Sequence, residues 1–116
     1  MRPLNITFEA PTLEINGIRY NVLRSDATII QDLLNIDKRF EGVDMGDVKN
    51  VLLKNEAMLD YLDTLLGKGA RKKITESVPG LKMYGLGMAG IDQLMTEIAK
   101  AAGTAYAESI KLKYED

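Results

Sequence analysis

A glycine cluster, Gly85-Leu86-Gly87-Met88-Ala89-Gly90, is the segment of this sequence whose spacing most directly suggests chemistry. It matches the pattern G-x-G-x-x-G, which binds the pyrophosphate of a dinucleotide when the glycines follow a buried strand and open a helix inside a βαβ unit. The residues before it, Leu81 to Tyr84, form only a short apolar segment that includes a lysine. A small nucleotide-binding domain is therefore a less favoured hypothesis, and it requires the cluster to form a loop.

Two pairs of carboxylates, Asp60 with Asp63 and Asp92 with Glu97, have the spacing of neighbouring helical turns. Such a pair can act as general acid and general base if a buried cleft separates the two pKa values. Both pairs fall on polar faces of predicted helices, so solvated surface is the favoured interpretation. The sequence has no histidine and no cysteine, which excludes histidine-based catalytic triads and zinc sites built from imidazole or thiolate. We expect no enzymatic activity, no cofactor and no metal.

Three adjacent cations, Arg71, Lys72 and Lys73, are a candidate contact for an acidic partner or for nucleic acid. The formal net charge of -2 argues against nucleic acid, because proteins that bind it usually carry a basic excess. No uncharged run approaches the ~18 residues needed to cross a bilayer, and the N-terminus lacks the apolar core of a signal peptide. We therefore expect a single cytoplasmic domain that does not bind membranes.

The elements that position these residues begin with strands. Alternating apolar residues predict a first strand that ends at Pro11: Leu4, Ile6, Phe8 and Ala10. Asn16-Gly17 then predicts a tight hairpin, since both residues accept positive φ at low cost. In that register Ile15 faces Ile18 and Leu13 faces Tyr20.

Two helices are predicted next. Ser25 or Asp26 caps the first, which ends near Gly42 and has the apolar stripe Ile29, Leu33, Ile36 and Phe40, with Ile30 and Leu34 beside it. Asp44 caps the second, a long helix from Met45 to Leu66 around which we expect the rest of the chain to pack. Its predicted buried stripe is Met45, Val48, Leu52, Leu59, Leu62 and Leu66, widened by Val51, Met58 and Leu65. Gly67 suits the left-handed position that ends such a helix.

A second long helix is predicted near the C-terminus. Its three-four alternation passes through the glycine cluster: Leu81, Tyr84, Met88, Ile91, Met95, Ile98, Ala102 and Ala105. Beyond Gly103 the chain either continues as helix through Tyr106 and Ile110 or frays. The expected fold is α+β and mainly helical, with an N-terminal antiparallel hairpin or three-stranded sheet followed by three to five helices. We divide the single domain into a hairpin region (1–23), two helices (26–66), a short helix and turn (67–80) and a C-terminal helical region (81–112).

This order of parts resembles a known family. The hairpin EINGIRY at 14–20 is followed by helices and then by LDTLLGKGARKKI at 62–74, in which a Leu-Gly-x-Gly-Ala segment separates two long helices. The layout is similar to that of the small tail assembly chaperones of long, non-contractile-tailed phages of Gram-positive bacteria and their prophages.

The resemblance implies a non-enzymatic protein that coats the tape measure protein before the tail tube polymerises, and that self-associates while doing so. The implied partners are the tape measure protein and the tail tube protein, in the cytoplasm of the host. Residues expected to contact a partner are Tyr84, Met88, Ile91, Met95, Arg71, Lys72 and Lys73. A structural head-tail joining or tail-terminator component of similar size is the alternative.

Overall fold

The computed structural model of the protein describes residues 3–78 and 88–114. The elements in chain order are β1 (Leu4–Phe8), β2 (Thr12–Ile15), β3 (Ile18–Asn21), α1 (Asp26–Arg39), α2 (Val48–Leu66), α3 (Ala70–Ser77), α4 (Met88–Glu108) and β4 (Ile110–Tyr114). The strands form two separate antiparallel pairs, β1 with β4 and β2 with β3. The α+β, mainly helical class predicted from the sequence is confirmed.

The hairpin of β2 and β3 is confirmed in its register. Ile15 pairs with Ile18 and Leu13 with Tyr20. Asn16 and Gly17 have φ of 47° and 83°, the positive values that a two-residue hairpin turn requires. The backbone N–H of Leu23 donates to the carbonyl of Leu65 at 2.9 Å, which fixes the hairpin's end against the last turn of α2.

Three helices form a bundle beside the hairpin. The Tyr61 hydroxyl donates to Asp32 Oδ2 at 2.7 Å, and Lys54 Nζ lies 3.5 Å from Asp37 Oδ1. The later residue of α1, Asp37, contacts the earlier residue of α2, Lys54, so these two helices run antiparallel. The core between the helices and the hairpin is a set of buried apolar residues: Tyr20, Val22, Ile29, Ile36, Tyr61, Leu62, Leu65, Leu66, Ala70, Ile74, Ile91, Met95, Ile98 and Ala102.

Only the C-terminal half of the long central helix is buried, which corrects the prediction of a continuous buried stripe. Leu62 is fully buried and Leu66 is 5% exposed, whereas Val48 and Leu52 on the same stripe are 69% and 57% exposed. The helix begins at Val48 and leaves Met45 outside it. Periodicity identifies which face of a helix is apolar. How much of that face is buried depends on where the neighbouring helices end. The first two turns of α2 therefore present apolar side chains to solvent.

The caps of the first two helices were predicted in part. Ser25 caps α1, because its side chain accepts a hydrogen bond from the N–H of Thr28. Asp47 and not Asp44 caps α2, by accepting from the N–H of Lys49. The Asp44 carboxylate instead accepts from the N–H of Gly46, which closes the turn before the helix. Both aspartates satisfy backbone donors, as capping residues do, but the cap lies three residues later than predicted.

The C-terminal segment changes from helix to strand. The structure describes α4 from Met88 to Glu108, and the predicted helical residues 81–87 lie outside the described residues. Beyond Gly103 the helix continues through Tyr106 to Glu108, as one predicted alternative has it, but Ile110 lies outside the helix because Ile110–Tyr114 pairs with β1. The predicted option of a three-stranded N-terminal sheet is therefore not the arrangement seen: β1 pairs with the far end of the chain and not with the hairpin.

Two buried tyrosines differ in how their hydroxyl groups are satisfied. The Tyr20 hydroxyl is buried without a hydrogen-bond partner in the described part of the chain, and burial raises its pKa. The Tyr61 hydroxyl donates to Asp32; burial and this hydrogen bond raise the pKa of Tyr61. An unsatisfied buried donor costs free energy that a paired one does not.

Substituting the two tyrosines should therefore change stability in opposite directions. We expect Tyr20→Phe to leave the free energy of unfolding unchanged or to raise it by about 1 kcal/mol, because it removes an unpaired hydroxyl. Tyr61→Phe should lower it by about 1 kcal/mol, because it removes a hydrogen bond to a carboxylate. Urea unfolding of the two variants measures both values. A larger loss for Tyr20→Phe than for Tyr61→Phe would show that the Tyr20 hydroxyl has a partner.

None of the helices within residues 3–78 and 88–114 combines the length and the apolar character that crossing a membrane requires.

Candidate protein-binding surface

Arg71 joins α3 to α2 through ion pairs. Its guanidinium Nη1 lies 2.8 Å from Glu56 Oε2 and also contacts Asp60, while Nη2 donates to Glu56 Oε1 at 3.0 Å. The hydrogen bond from Arg71 lowers the pKa of Glu56, and the same bond raises the pKa of Arg71. Of the three predicted cations, Arg71 is therefore engaged within the chain. Lys72 and Lys73 are exposed beside it.

The Leu-Gly-x-Gly-Ala segment that carries the family resemblance forms the turn between α2 and α3. Gly67 and Gly69 have φ of 106° and 87°, values that side chains disfavour. Ala70 is 2% exposed, so the residue after the turn must be small. The Asp63 carboxylate accepts from the N–H of Arg71 at 2.8 Å and caps α3 from the preceding helix. These contacts show that the segment positions two helices.

The carboxylate pairs do not form a catalytic cleft. Asp60 is exposed and paired with Arg71, and Asp63 serves as the cap of α3. Asp92 and Glu97 are both exposed. Among the described residues no group of three or more metal-ligating acidic, histidine or cysteine side chains converges. These carboxylates support the structure and the solvated surface.

The methionine-rich helix is placed only in part. Ile91 and Met95 are 7% and 2% exposed and belong to the core. They face the other helices of the bundle, so a partner reaches them only if the bundle opens. Met88 is the first residue of α4, and Tyr84 lies outside the described residues. Contact of Tyr84 and Met88 with a partner stays a prediction.

The glycine cluster falls mostly outside the described residues. Its last member, Gly90, lies in the first turn of α4. Both strand pairs of the described chain are antiparallel, so neither supplies the parallel βαβ unit that the dinucleotide fingerprint requires.

An open apolar groove of about 530 Å³ runs between α1 and α4. We call it the α1–α4 groove. Ile29, Ile30 and Leu33 form its α1 side, and Ala99, Gly103 and Ala107 form its α4 side. The residues on α4 recur every four positions and are small, so they lie on one face of the helix and leave the groove open. Gly103 packs close to α1, because a Cβ added there would lie 3.6 Å from Asp26 Cβ, an ordinary contact.

Exposed side chains on α1 extend this groove. Ile30 is 62% exposed, and Leu34, one turn further along the same face, is 50% exposed. Charged and polar groups lie at the rim: Asp26, Thr96, Lys100 and Thr104. A floor of small residues, an apolar wall and a polar rim suit the binding of an amphipathic helix.

Sequence reasoning placed Ile30 beside the apolar stripe of the first helix but did not identify the groove. The signal was the extra apolar row of α1, Ile30 and Leu34, together with the small residues of α4 at spacings of four. Neither pattern says that the two helices pack side by side. The groove exists because α1 and α4 meet through Ile29 and Leu33 while Ile30 remains outside.

A polar groove of about 350 Å³ lies between α1 and α2, around the Tyr61–Asp32 hydrogen bond. Arg39 and Asp60 also line it. Because charged side chains of both signs line this polar groove, it is less suited than the α1–α4 groove to hold an apolar partner.

Comparisons with models of protein families, with curated protein sequences and with solved structures give no match to this chain. The resemblance to tail assembly chaperones therefore depends on the segments at 14–20 and 62–74 and on the order of elements.

Proposed function

We propose that this chain is a non-enzymatic assembly chaperone of a long, non-contractile phage or prophage tail. It binds an amphipathic helix of the tape measure protein in the α1–α4 groove and self-associates while doing so, in the cytoplasm of the bacterial host. The observation that carries the proposal is the groove itself: an open apolar channel between two helices, with small residues on one side and the exposed Ile30 on the other.

The chemistry of the groove selects the kind of partner. Large apolar side chains of a partner helix fit over Ala99, Gly103 and Ala107, because these small residues let the partner helix approach the backbone of α4 closely. Ile30 and Leu34 then cover the same apolar face from the α1 side. Asp26 and Lys100 at the rim offer one group of each sign to the polar flanks of that helix. This is the helix-in-groove mode, in which apolar residues spaced by three and four positions anchor the partner.

An open apolar groove between two helices fits a protein that acts by covering a surface. A tape measure helix that awaits its tube exposes an apolar face, and a small domain with an open apolar groove shields that face until assembly. Ile91 and Met95 contribute to this role through the core that holds α4 in place.

The proposal predicts that one charged residue in the groove abolishes binding without unfolding the chain. Ile30→Glu places a carboxylate in the apolar wall, and because Ile30 is 62% exposed the fold should tolerate it. We expect its dissociation constant for a helical fragment of the tape measure protein encoded beside this chain to rise at least tenfold, or about 1.4 kcal/mol. Isothermal titration calorimetry measures the constant, and thermal melting checks the fold.

Val48→Glu is the matched control, because Val48 is also β-branched, helical and 69% exposed but lies at the start of α2, away from the groove. Its affinity should equal that of the unaltered chain. Failure of the unaltered chain to bind the fragment, or equal binding by Ile30→Glu, would contradict the proposal. A closed ring of fixed size that ignores the fragment would favour a head-tail joining or tail-terminator component instead.

A further inference from the structure

The pair formed by β1 and β4, which we call the β1–β4 ribbon, has an apolar face that no other described element covers. The register pairs Phe8 with Ile110, Ile6 with Leu112 and Leu4 with Tyr114. Residues directly opposite each other in an antiparallel pair share a face. Six apolar register positions therefore lie on one face, and the alternate positions, Asn5, Thr7, Lys111 and Lys113, belong to the other.

The apolar face is exposed to solvent. Leu4, Ile6 and Phe8 are 52%, 53% and 70% exposed, and Ile110 is 43% exposed. On the other face Thr7 is exposed as well, whereas Asn5 is half-buried and its side-chain nitrogen is shielded from solvent. A solvated sheet face is normally polar, so the exposed apolar face of this ribbon departs from the usual arrangement.

A ribbon of two strands is at best marginally stable in water by itself. Stability usually requires a third strand or a layer packed against the apolar face. At its near end the ribbon is joined to the rest of the described chain by the N–H of Glu9, which donates to the carbonyl of Ser109 at 2.8 Å. Among residues 3–78 and 88–114 no element lies over the apolar face, so a layer from another molecule has room to pack there.

We propose that this layer is the same ribbon of a second copy of the chain. The four described side chains expose roughly 100 Å² each, so the patch is about 400 Å², as large as the largest apolar patch of a typical monomer. Two such patches packed face to face remove roughly 800 Å² from water, which is the size of a small interface and fits a weak, concentration-dependent dimer.

The composition of the face favours a copy of itself as the occupant. A twofold axis places the same patch on both partners, so the patch must complement itself. The apolar positions carry no charge, and the lysines at 111 and 113 occupy register positions of the opposite face, so like charges are not brought together. Two twisted ribbons stacked about 10 Å apart then form a small sandwich with a closed apolar interior.

This inference rests on the proposed function in one respect: it names the surface through which the proposed self-association occurs. It assigns the two kinds of contact to different surfaces, with the partner helix in the α1–α4 groove and the second copy on the β1–β4 ribbon. The two assignments are therefore separable by mutation.

The test is sedimentation equilibrium of the full chain over a wide concentration range. We expect a dimer whose dissociation constant rises at least tenfold in Ile6→Thr/Phe8→Thr, since threonine keeps the preference for strand but removes the large apolar surface. Leu53→Gln is the control, because Leu53 is 59% exposed on α2, and it should dimerise like the unaltered chain. A monomer at all concentrations, or a dimer indifferent to the double substitution, would overturn the inference.

A cysteine cross-link decides the result if the double variant does not fold. The sequence contains no cysteine, so a single Ile6→Cys at the centre of the ribbon is the only thiol. Under mild oxidation Ile6→Cys should give a covalent dimer, while Leu53→Cys should remain monomeric on a denaturing gel. Equal cross-linking of both variants would contradict packing through the ribbon.

The groove variant separates this inference from the proposed function. Ile30→Glu should still dimerise through the ribbon. If the unaltered chain fails to bind the tape measure fragment but forms a dimer sensitive to Ile6→Thr/Phe8→Thr, the proposed function fails and the ribbon interface stands. If the fragment binds while the unaltered chain remains monomeric, the ribbon interface fails alone.

Discussion

Leu62→Ala should lower the free energy of unfolding by about 3 kcal/mol, the largest loss we expect from a single truncation in this chain. Leu62 is fully buried, with 0% of its surface exposed, and belongs to the same core cluster as Leu65, Leu66 and Ile74. Removing its branched end forfeits the transfer free energy of the lost methyl groups and leaves a cavity that a helix bundle cannot fully close. For a chain of this size the melting temperature should fall by roughly 10 °C.

Leu52→Ala is the matched control, because it makes the same chemical change on the same stripe of the same helix. Leu52 is 57% exposed, and alanine is at least as good a helix former, so we expect a change within about 0.5 kcal/mol. Denaturant unfolding at low protein concentration compares the two variants free of self-association. Equal losses would mean that the first turns of α2 are buried in solution, which would contradict the half-exposed helix.

This comparison also shows how far the sequence alone predicts the fold. Leu52 and Leu62 occupy equivalent positions in the pattern, and nothing within α2 distinguishes them. Their environments differ because Lys54 of α2 already pairs with Asp37 near the end of α1, so the residues before it extend beyond that helix. Helical periodicity is a local property, whereas burial depends on the lengths of the neighbours.

Local signals were reliable where one short segment determines the conformation. Asn16-Gly17 determines the hairpin turn and its register, and Ser25, one of the two predicted candidates, caps α1. The pairing of β1 with β4 joins residues about a hundred positions apart, and the alternation of Leu4, Ile6 and Phe8 contains no information about which strand lies alongside. The C-terminal segment Ile110–Tyr114 also alternates, with lysines at 111 and 113, but a segment this short is equally compatible with a helix that continues through Ile110.

The candidate surfaces were hard to predict for the same reason. Four of the predicted contact residues lie on the stripe of the last helix, and two of these four, Ile91 and Met95, are buried in the core. Residues outside the stripes, such as Ile30 on α1 and the small Gly103 on α4, line the groove instead. A stripe that packs the core is not free to line a groove, so the groove is lined by the residues beside it.

Gly67→Ala should lower the free energy of unfolding by about 2–3 kcal/mol, although it adds only one methyl group. Gly67 has φ of 106° and ψ of 158°, a region of backbone space that is essentially confined to glycine, and not the left-handed conformation predicted for it. A Cβ at this position would lie 4.0 Å from the Leu23 side chain, so the expected cost comes from the backbone and not from crowding. Because the turn holds Asp63 in place to cap α3, strain here should also weaken the hydrogen bond to the N–H of Arg71.

Gly103→Ala makes the same chemical change and should have the opposite sign. Gly103 lies inside α4, and its Cβ would meet Asp26 Cβ at an ordinary 3.6 Å. Alanine restricts the unfolded chain and favours the helix, so we expect stability to rise by about 0.5–1 kcal/mol. Thermal and urea unfolding of both variants beside the unaltered chain measure the contrast. A loss for Gly103→Ala as large as that for Gly67→Ala would contradict the ordinary contact expected for a Cβ at Gly103, whereas no loss for Gly67→Ala would contradict the assignment of Gly67 to a turn that only glycine can make.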